Sequence, residues 1–148
     1  MSLLNILRYP DPRLHKVAKP VTVFDARLQK LVADMVETMY AAPGVGLAAP
    51  QVGSDQRIAV MDATGHPKVE AGHGLMVLVN PQINAADGST VQREGCLSIP
   101  DFTANVQRAT RVRLKAVDRF GSSFEVTLEG FEAVIAQHEV DHLDGKLF

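Results

Sequence analysis

Between residues 25 and 41 the apolar positions recur at intervals of three and four. Leu28, Leu31, Val32, Met35, Val36, Met39 and Tyr40 alternate with Lys30, Asp34 and Glu37. That spacing draws one apolar stripe down a helix over about 25–41. Asp25 is placed to cap its first turn, and Pro43-Gly44 ends it. Met35 and Met39 read as core filling rather than a cofactor site. Further on the period shortens to two. Residues 110–118 (TRVRLKAVD) set Val112, Leu114 and Ala116 against Arg111, Arg113 and Lys115, and 124–128 (FEVTL) alternate again after the turn at Arg119-Phe120-Gly121. This predicts an antiparallel hairpin with one wet face. Residues 57–63 (RIAVMDA) and 75–80 (LMVLVN) read as buried strands, and the link between them, with His66 and His73, as an exposed loop of solvated residues. The first 24 residues, with Pro10, Pro12 and Pro20, read as an irregular arm. Near the end Phe131, Val134 and Ile135 precede His138 at helical spacing, with Gly130 at the start. An early helix, several strands and a late helix make an α+β chain rather than alternating β/α.

Length and composition narrow this to one domain spanning 1–148. The chain is 46% hydrophobic and 22% charged, with no tryptophan, an ordinary globular composition. A net charge of −2 gives no electrostatic case for nucleic acid or an anionic membrane. No apolar run is long enough to span a bilayer, and the N-terminus lacks a signal-peptide pattern. One cysteine forms no intramolecular disulfide, so the expected setting is a reducing one, the cytoplasm.

The candidate chemistry sits in the late helix. Residues 138–142 read His-Glu-Val-Asp-His, which on a helix places two imidazoles one turn apart on one face, both able to reach one metal ion. Glu139 is one step round, near a metal-bound water without being a ligand. Alone, the pattern is also compatible with an amphipathic helix whose histidines are decoration. A third ligand decides the matter. Only six residues follow His142, and Asp144 is awkwardly close to it, so the ligand comes from upstream. Cys96, between Gly95 and Leu97, is the strongest candidate, although a lone cysteine is more often a small buried hydrophobe. A thiolate and two imidazoles suit a borderline-soft divalent metal and leave an open position. Val134 and Ile135, one turn before His138, are placed to line an apolar pocket beside it. Residues 44–53 carry little side-chain cover. They read as a long turn by composition, or as backbone against which an extended peptide can lie.

Three segments, GVGLAAPQVG (44–53), EGCLS (94–98) and QHEVDHLDG (137–145), resemble in order the signature motifs of the peptide deformylases, and the likeness runs over nearly the whole chain. The resemblance implies antiparallel sheets around a central metal-binding helix carrying the H-E-x-x-H. It implies a divalent metal on Cys96, His138 and His142, Fe²⁺ in vivo, with Zn²⁺, Ni²⁺ or Co²⁺ in a purified sample. It further implies removal of the N-formyl group from the initiator methionine of new polypeptides. Glu139 would then act as acid/base, and the Gln51 amide with the Leu97 backbone N–H would stabilise the oxyanion. The metal would lower the pKa of a bound water from about 15.7 toward about 7. Val45, Gly46 and Gly95 would hold the peptide backbone, and the Val134/Ile135 pocket the methionine side chain. Asp141 and Arg108 pair either around the ligands or as a plain surface ion pair.

The chain departs from the family pattern in two places. Asp101-Phe102-Thr103 stands where many members carry a bulky or basic residue. The sequence also stops just after the metal helix, where members commonly continue with a tail implicated in ribosome docking. The expectation is a short or absent tail with catalysis intact. Two other readings remain open: an H-E-x-x-H endopeptidase, disfavoured by the absent downstream ligand, and an idle relative that binds formylated N-termini, which would need neither Glu139 nor Gln51.

Overall fold

A computed structural model describes residues 2–69 and 72–147. The early stripe folds as α1, Ala26–Ala41, and buries Leu28, Val32, Met35 and Met39. Its first turn is held as the sequence predicts, the Asp25 carboxylate accepting from the Leu28 amide at 3.0 Å. Replacing Asp25 by alanine leaves that amide without its cap and is expected to lower stability by about 1 kcal/mol, read from the urea midpoint.

Seven strands follow: β1 Gly46–Ala48, β2 Ile58–Met61, β3 Met76–Asp87, β4 Thr90–Cys96, β5 Ile99–Arg108, β6 Arg111–Val117 and β7 Ser123–Glu129. Five of them form an antiparallel sheet in the order β1-β2-β3-β6-β7, and β4 and β5 pair with each other in a second, two-stranded sheet. The predicted hairpin is β6–β7, in register from Arg111 opposite Glu129 to Val117 opposite Ser123, with Val112, Leu114 and Ala116 buried. The last helix, α2, runs Gly130–Leu143. It buries Ala133, Val134, Ile135, Ala136, Val140 and Leu143 around most of its circumference. Met61, Leu78, Leu114 and Leu128 of the sheet pack with Ile135 and Val140 in one core, and the inner face of α1 packs with Leu47, Ile58 and Val79 in a second. Among the described residues no helix is long and apolar enough to cross a membrane.

Several expectations need correction. The stretch 44–53 is not one long turn: it contributes edge strand β1 and a 3-10 turn, Ala49–Val52. β3 continues seven residues beyond Asn80, with two irregularities in its register with β6. The β4–β5 hairpin, which the apolar pattern does not announce, spans most of 90–108. The N-terminal arm is irregular apart from a 3-10 turn at Pro12–His15, yet it is well attached. Leu14 is fully buried, the Leu7 amide donates to the Gln51 carbonyl at 2.6 Å and the Tyr9 amide to that of Ser98 at 2.8 Å. The loop 64–74 is also pinned, rather than simply solvated. His66 stacks on Phe131 with centroids 4.2 Å apart, and His73 bonds the buried Glu132 through its amide and Nδ1, at 2.9 and 2.8 Å. Residues 70 and 71 of that loop lie outside the described residues.

Asp144 caps the end of α2, and Gly145 turns away with φ +81°. A Cβ there would stand 2.7 Å from the His15 carbonyl oxygen, so both backbone sign and space require glycine.

Candidate metal centre

α2 and the end of β4 bring Cys96, His138 and His142 together. Their ligand atoms all lie within 4.8 Å of one another. Cys96 Sγ is 3.2 Å from His142 Nε2, and that nitrogen is 3.1 Å from His138 Nε2. Two imidazole nitrogens this close accommodate one proton or one metal ion between them, because two N–H groups aimed at each other repel. Burial pushes His142 down to about 3, helped by the positive charges of His138 and Arg108. Burial also opposes charge on His138, but its bonds to Cys96 and Glu94 outweigh this and raise it to about 10. One imidazole is therefore neutral with a lone pair to give, and the other carries the positive charge that a metal ion can replace. A soft thiolate completes the set. The residues fit a divalent metal.

Behind the donors lies a chain of charge. His138 Nδ1 donates to Glu94 Oε1 at 2.9 Å, which fixes the ring with Nε2 turned toward His142 as its ligand atom. Arg108 grips Glu94 with two bonds of 2.8 Å and reaches Asp141 at 2.5 Å. Burial raises the Glu94 carboxyl, but the bonds from Arg108 and His138 win and hold it at about 2. Arg108 is 7% exposed, so its pair with Asp141 is not a plain surface one. Asp144, close in sequence to His142, faces away and pairs with Arg57 at 2.8 Å. His142 Nδ1 is buried with no hydrogen-bond partner among the described residues.

Glu139 sits beside the cluster, 3% exposed, and its Oε1 takes no hydrogen bond among the described residues. Burial pushes its carboxyl up to about 7, so it can both take and give a proton near neutrality. β1 passes directly over it. A Cβ on Gly46 would meet Glu139 Oε2 and stand 2.9 Å from Cδ, so any side chain at 46 displaces the carboxylate.

These groups open onto a cavity of about 750 Å³. Val45, Gly46 and Gln51 line it from one side, Gly95, Cys96 and Leu97 from another, and Val134, Ile135, His138 and Glu139 from α2. His142 alone of the anticipated site residues is not in its wall, being 1% exposed behind the others. Gln51 is fixed in place: Oε1 accepts from the Ala48 amide at 2.9 Å, while Nε2 donates to Ser98 Oγ at 3.1 Å and lies 3.7 Å from Cys96 Sγ. Glu94 and Ser98 enter the sequence reading only as the ends of the EGCLS segment, and what they hold is missed. The signal for Glu94 is its spacing, two residues before Cys96 on the same face of a strand.

The sequence profile of the polypeptide deformylase family matches residues 3–148. Peptide deformylase 1 of Ralstonia nicotianae is 54% identical, over 100% of this chain and 85% of the relative. The peptide deformylase of Pseudomonas aeruginosa is 51% identical over 100% and 86%. Among solved structures, a peptide deformylase from Legionella pneumophila superposes with a TM-score of 0.92 at 49% identity, over 99% of this chain and 83% of that one. The enzyme from Thermotoga maritima does so with a TM-score of 0.90 at 44% identity, over 98% and 94%.

Proposed function

Because the chain belongs to the peptide deformylase family, which removes the N-formyl group from nascent polypeptides, we propose that Cys96, His138 and His142 hold the divalent metal on which that hydrolysis depends. The observation that carries this is the convergence of three donor atoms beside a buried carboxylate, one oxygen of which has no hydrogen-bond partner among the described residues. The proposed ion is Fe²⁺ in vivo, with Zn²⁺, Ni²⁺ or Co²⁺ able to take its place in purified protein. When bound, it supplies Lewis acidity, making water nucleophilic near neutral pH and polarising the formyl carbonyl.

In this reading residues 1–148 act as one catalytic domain, with α2 as its central metal-binding helix. Glu139 accepts the proton of the attacking water and returns it to the departing nitrogen, so that a C–O bond forms, the formyl C–N bond breaks, and formate and a free amine leave. The Gln51 amide and the Leu97 backbone N–H stabilise the negative charge that develops on the carbonyl oxygen. Val45, Gly46 and Gly95 present backbone to the substrate's main chain, as in strand addition. Val134 and Ile135 form the apolar wall for the methionine side chain. The substrate would be met in the bacterial cytoplasm as the nascent chain leaves the ribosome.

A direct test is the release of formate and free amine from a formyl-Met tripeptide by protein carrying one divalent ion per chain. Turnover supports the reading. A fully loaded protein that cleaves no formyl bond would overturn it.

A further inference from the structure

The cavity wall that faces the substrate's first side chain is not wholly apolar. Along β4 the burial pattern is inverted: Val91 points outward and is 67% exposed, while Gln92 lies on the inward face with Glu94. Gln92 lines the main cavity together with Phe131, Val134 and Ile135. It also lines a neighbouring cavity of about 240 Å³, whose remaining wall includes Thr90, Thr110 and Lys68. A pocket built only for a thioether gains nothing from an amide, two hydroxyls and an ammonium at its end.

These polar groups keep donors in reserve. Gln92 Nε2 gives one hydrogen to Thr90 Oγ1 at 3.0 Å, and its second hydrogen has no acceptor among the described residues. Lys68 Nζ is held 5.3 Å above the centre of the Phe131 ring, which lines both cavities. The same ring carries the stacked His66, so the aromatic platform fixes where the ammonium stands.

Resting on the deformylase reading, we propose that Gln92 and Lys68 form a donor-bearing end to the side-chain pocket, which admits a first residue whose side chain ends in a hydrogen-bond acceptor. Methionine sulfoxide is the form of this class that a formylated N-terminus acquires by oxidation, the thioether gaining one strongly accepting oxygen. The chemistry at the formyl group is unaltered: one water is consumed, and formate and the free amine leave. What changes is which N-termini can enter. A wholly apolar pocket leaves the sulfoxide oxygen without a partner, and a mismatch of this kind costs about 100-fold or more in kcat/KM. Here the Gln92 amide supplies the missing donor and Lys68 a second, charged one.

The test compares formyl-Met-Ala-Ser, its methionine sulfoxide analogue and its norleucine analogue on metal-loaded protein, parent against Gln92→Ile and Gln92→Leu. The parent is expected to hydrolyse the sulfoxide peptide within about tenfold of the methionine one. Each variant is expected to lower the sulfoxide-to-methionine ratio of kcat/KM by about tenfold or more, which is the loss of one good hydrogen bond, and to leave the norleucine-to-methionine ratio in place. Lys68→Met is expected to lower the same ratio, by less. Rejection of the sulfoxide by the parent, or an equal shift of both ratios in the variants, would overturn the polar end of the pocket while leaving the deformylase reading intact. Failure of all three peptides on loaded parent protein would overturn both.

Discussion

Glu139→Gln is expected to lose about 10²- to 10⁴-fold in kcat on a formylated peptide while still binding one metal ion per chain. The substitution keeps the shape that fits beneath Gly46, where even a Cβ would collide with the carboxylate. It removes only the ability to take a proton. The natural carboxyl is buried, pushed up to about 7 by that burial, and its Oε1 takes no hydrogen bond among the described residues. Formate release, metal content and thermal midpoint measured on the same preparation separate the outcomes. Lost turnover with metal and midpoint retained assigns the proton transfer to Glu139. Full turnover in the variant would remove it from that role.

Arg108→Met is expected to cost about 3–5 kcal/mol of stability, the usual penalty for removing one partner of a buried ionic pair. Arg108 is hydrogen-bonded to both oxygens of Glu94 and to Asp141, with only 6% of its side chain and 8% of that of Glu94 exposed. Without the guanidinium, Glu94 keeps its bond to His138, and a carboxylate remains deep in the protein with two bonds lost. Urea unfolding of the metal-free protein gives the cost. Metal titration gives a second effect, a weakening of about 10- to 100-fold as the bond that orients His138 slackens. A double-mutant cycle with Glu94→Gln isolates the pair. A variant as stable as the parent would mean that the network adds no stability and only orients the ring.

How far the sequence speaks differs by element. α1 is readable almost to the residue, because one face is buried, the other wet, and Asp25 marks its start. The β6–β7 hairpin is equally plain, for Val112, Leu114 and Ala116 alternate against charges. The β4–β5 hairpin is silent because its inward face carries Gln92, Glu94 and Cys96 and its outward face Val91, so hydrophobicity alternates with the wrong sign. β3 is cut short in a sequence reading because its end, from Asn84 to Asp87, is exposed and carries no burial signal. At the site, the spacing of His138 and His142 on one helix identifies the pair. Cys96 stands out only as the strongest upstream candidate, and the roles proposed for Gln51, Leu97 and Gly46 come only through likeness to a family. Glu94 escapes because its partners His138 and Arg108 stand on two other stretches, α2 and β5, far from it in sequence. The ties of His66 to Phe131 and of His73 to Glu132 escape for the same reason.

The two sheets differ in how they are fastened, and this gives the cavity a mechanical asymmetry. β1, which carries Gly46, is bonded by its backbone to the rest of a five-stranded sheet. Among the described residues the β4–β5 ribbon has no backbone ladder to that sheet; its moorings include the Gln51–Ser98 bond, the Tyr9 amide on the Ser98 carbonyl, the contacts of Cys96 and the clasp of Glu94 and Arg108 on α2. One jaw is therefore held by a backbone ladder and the other by side-chain bonds centred on Glu94, Cys96 and Ser98. Side-chain bonds yield before a ladder does, so the width of the opening is set where the ribbon meets α2. An extended peptide bonded to both jaws would act as a temporary strand between them, and the molecule would be stiffest when its cavity is full.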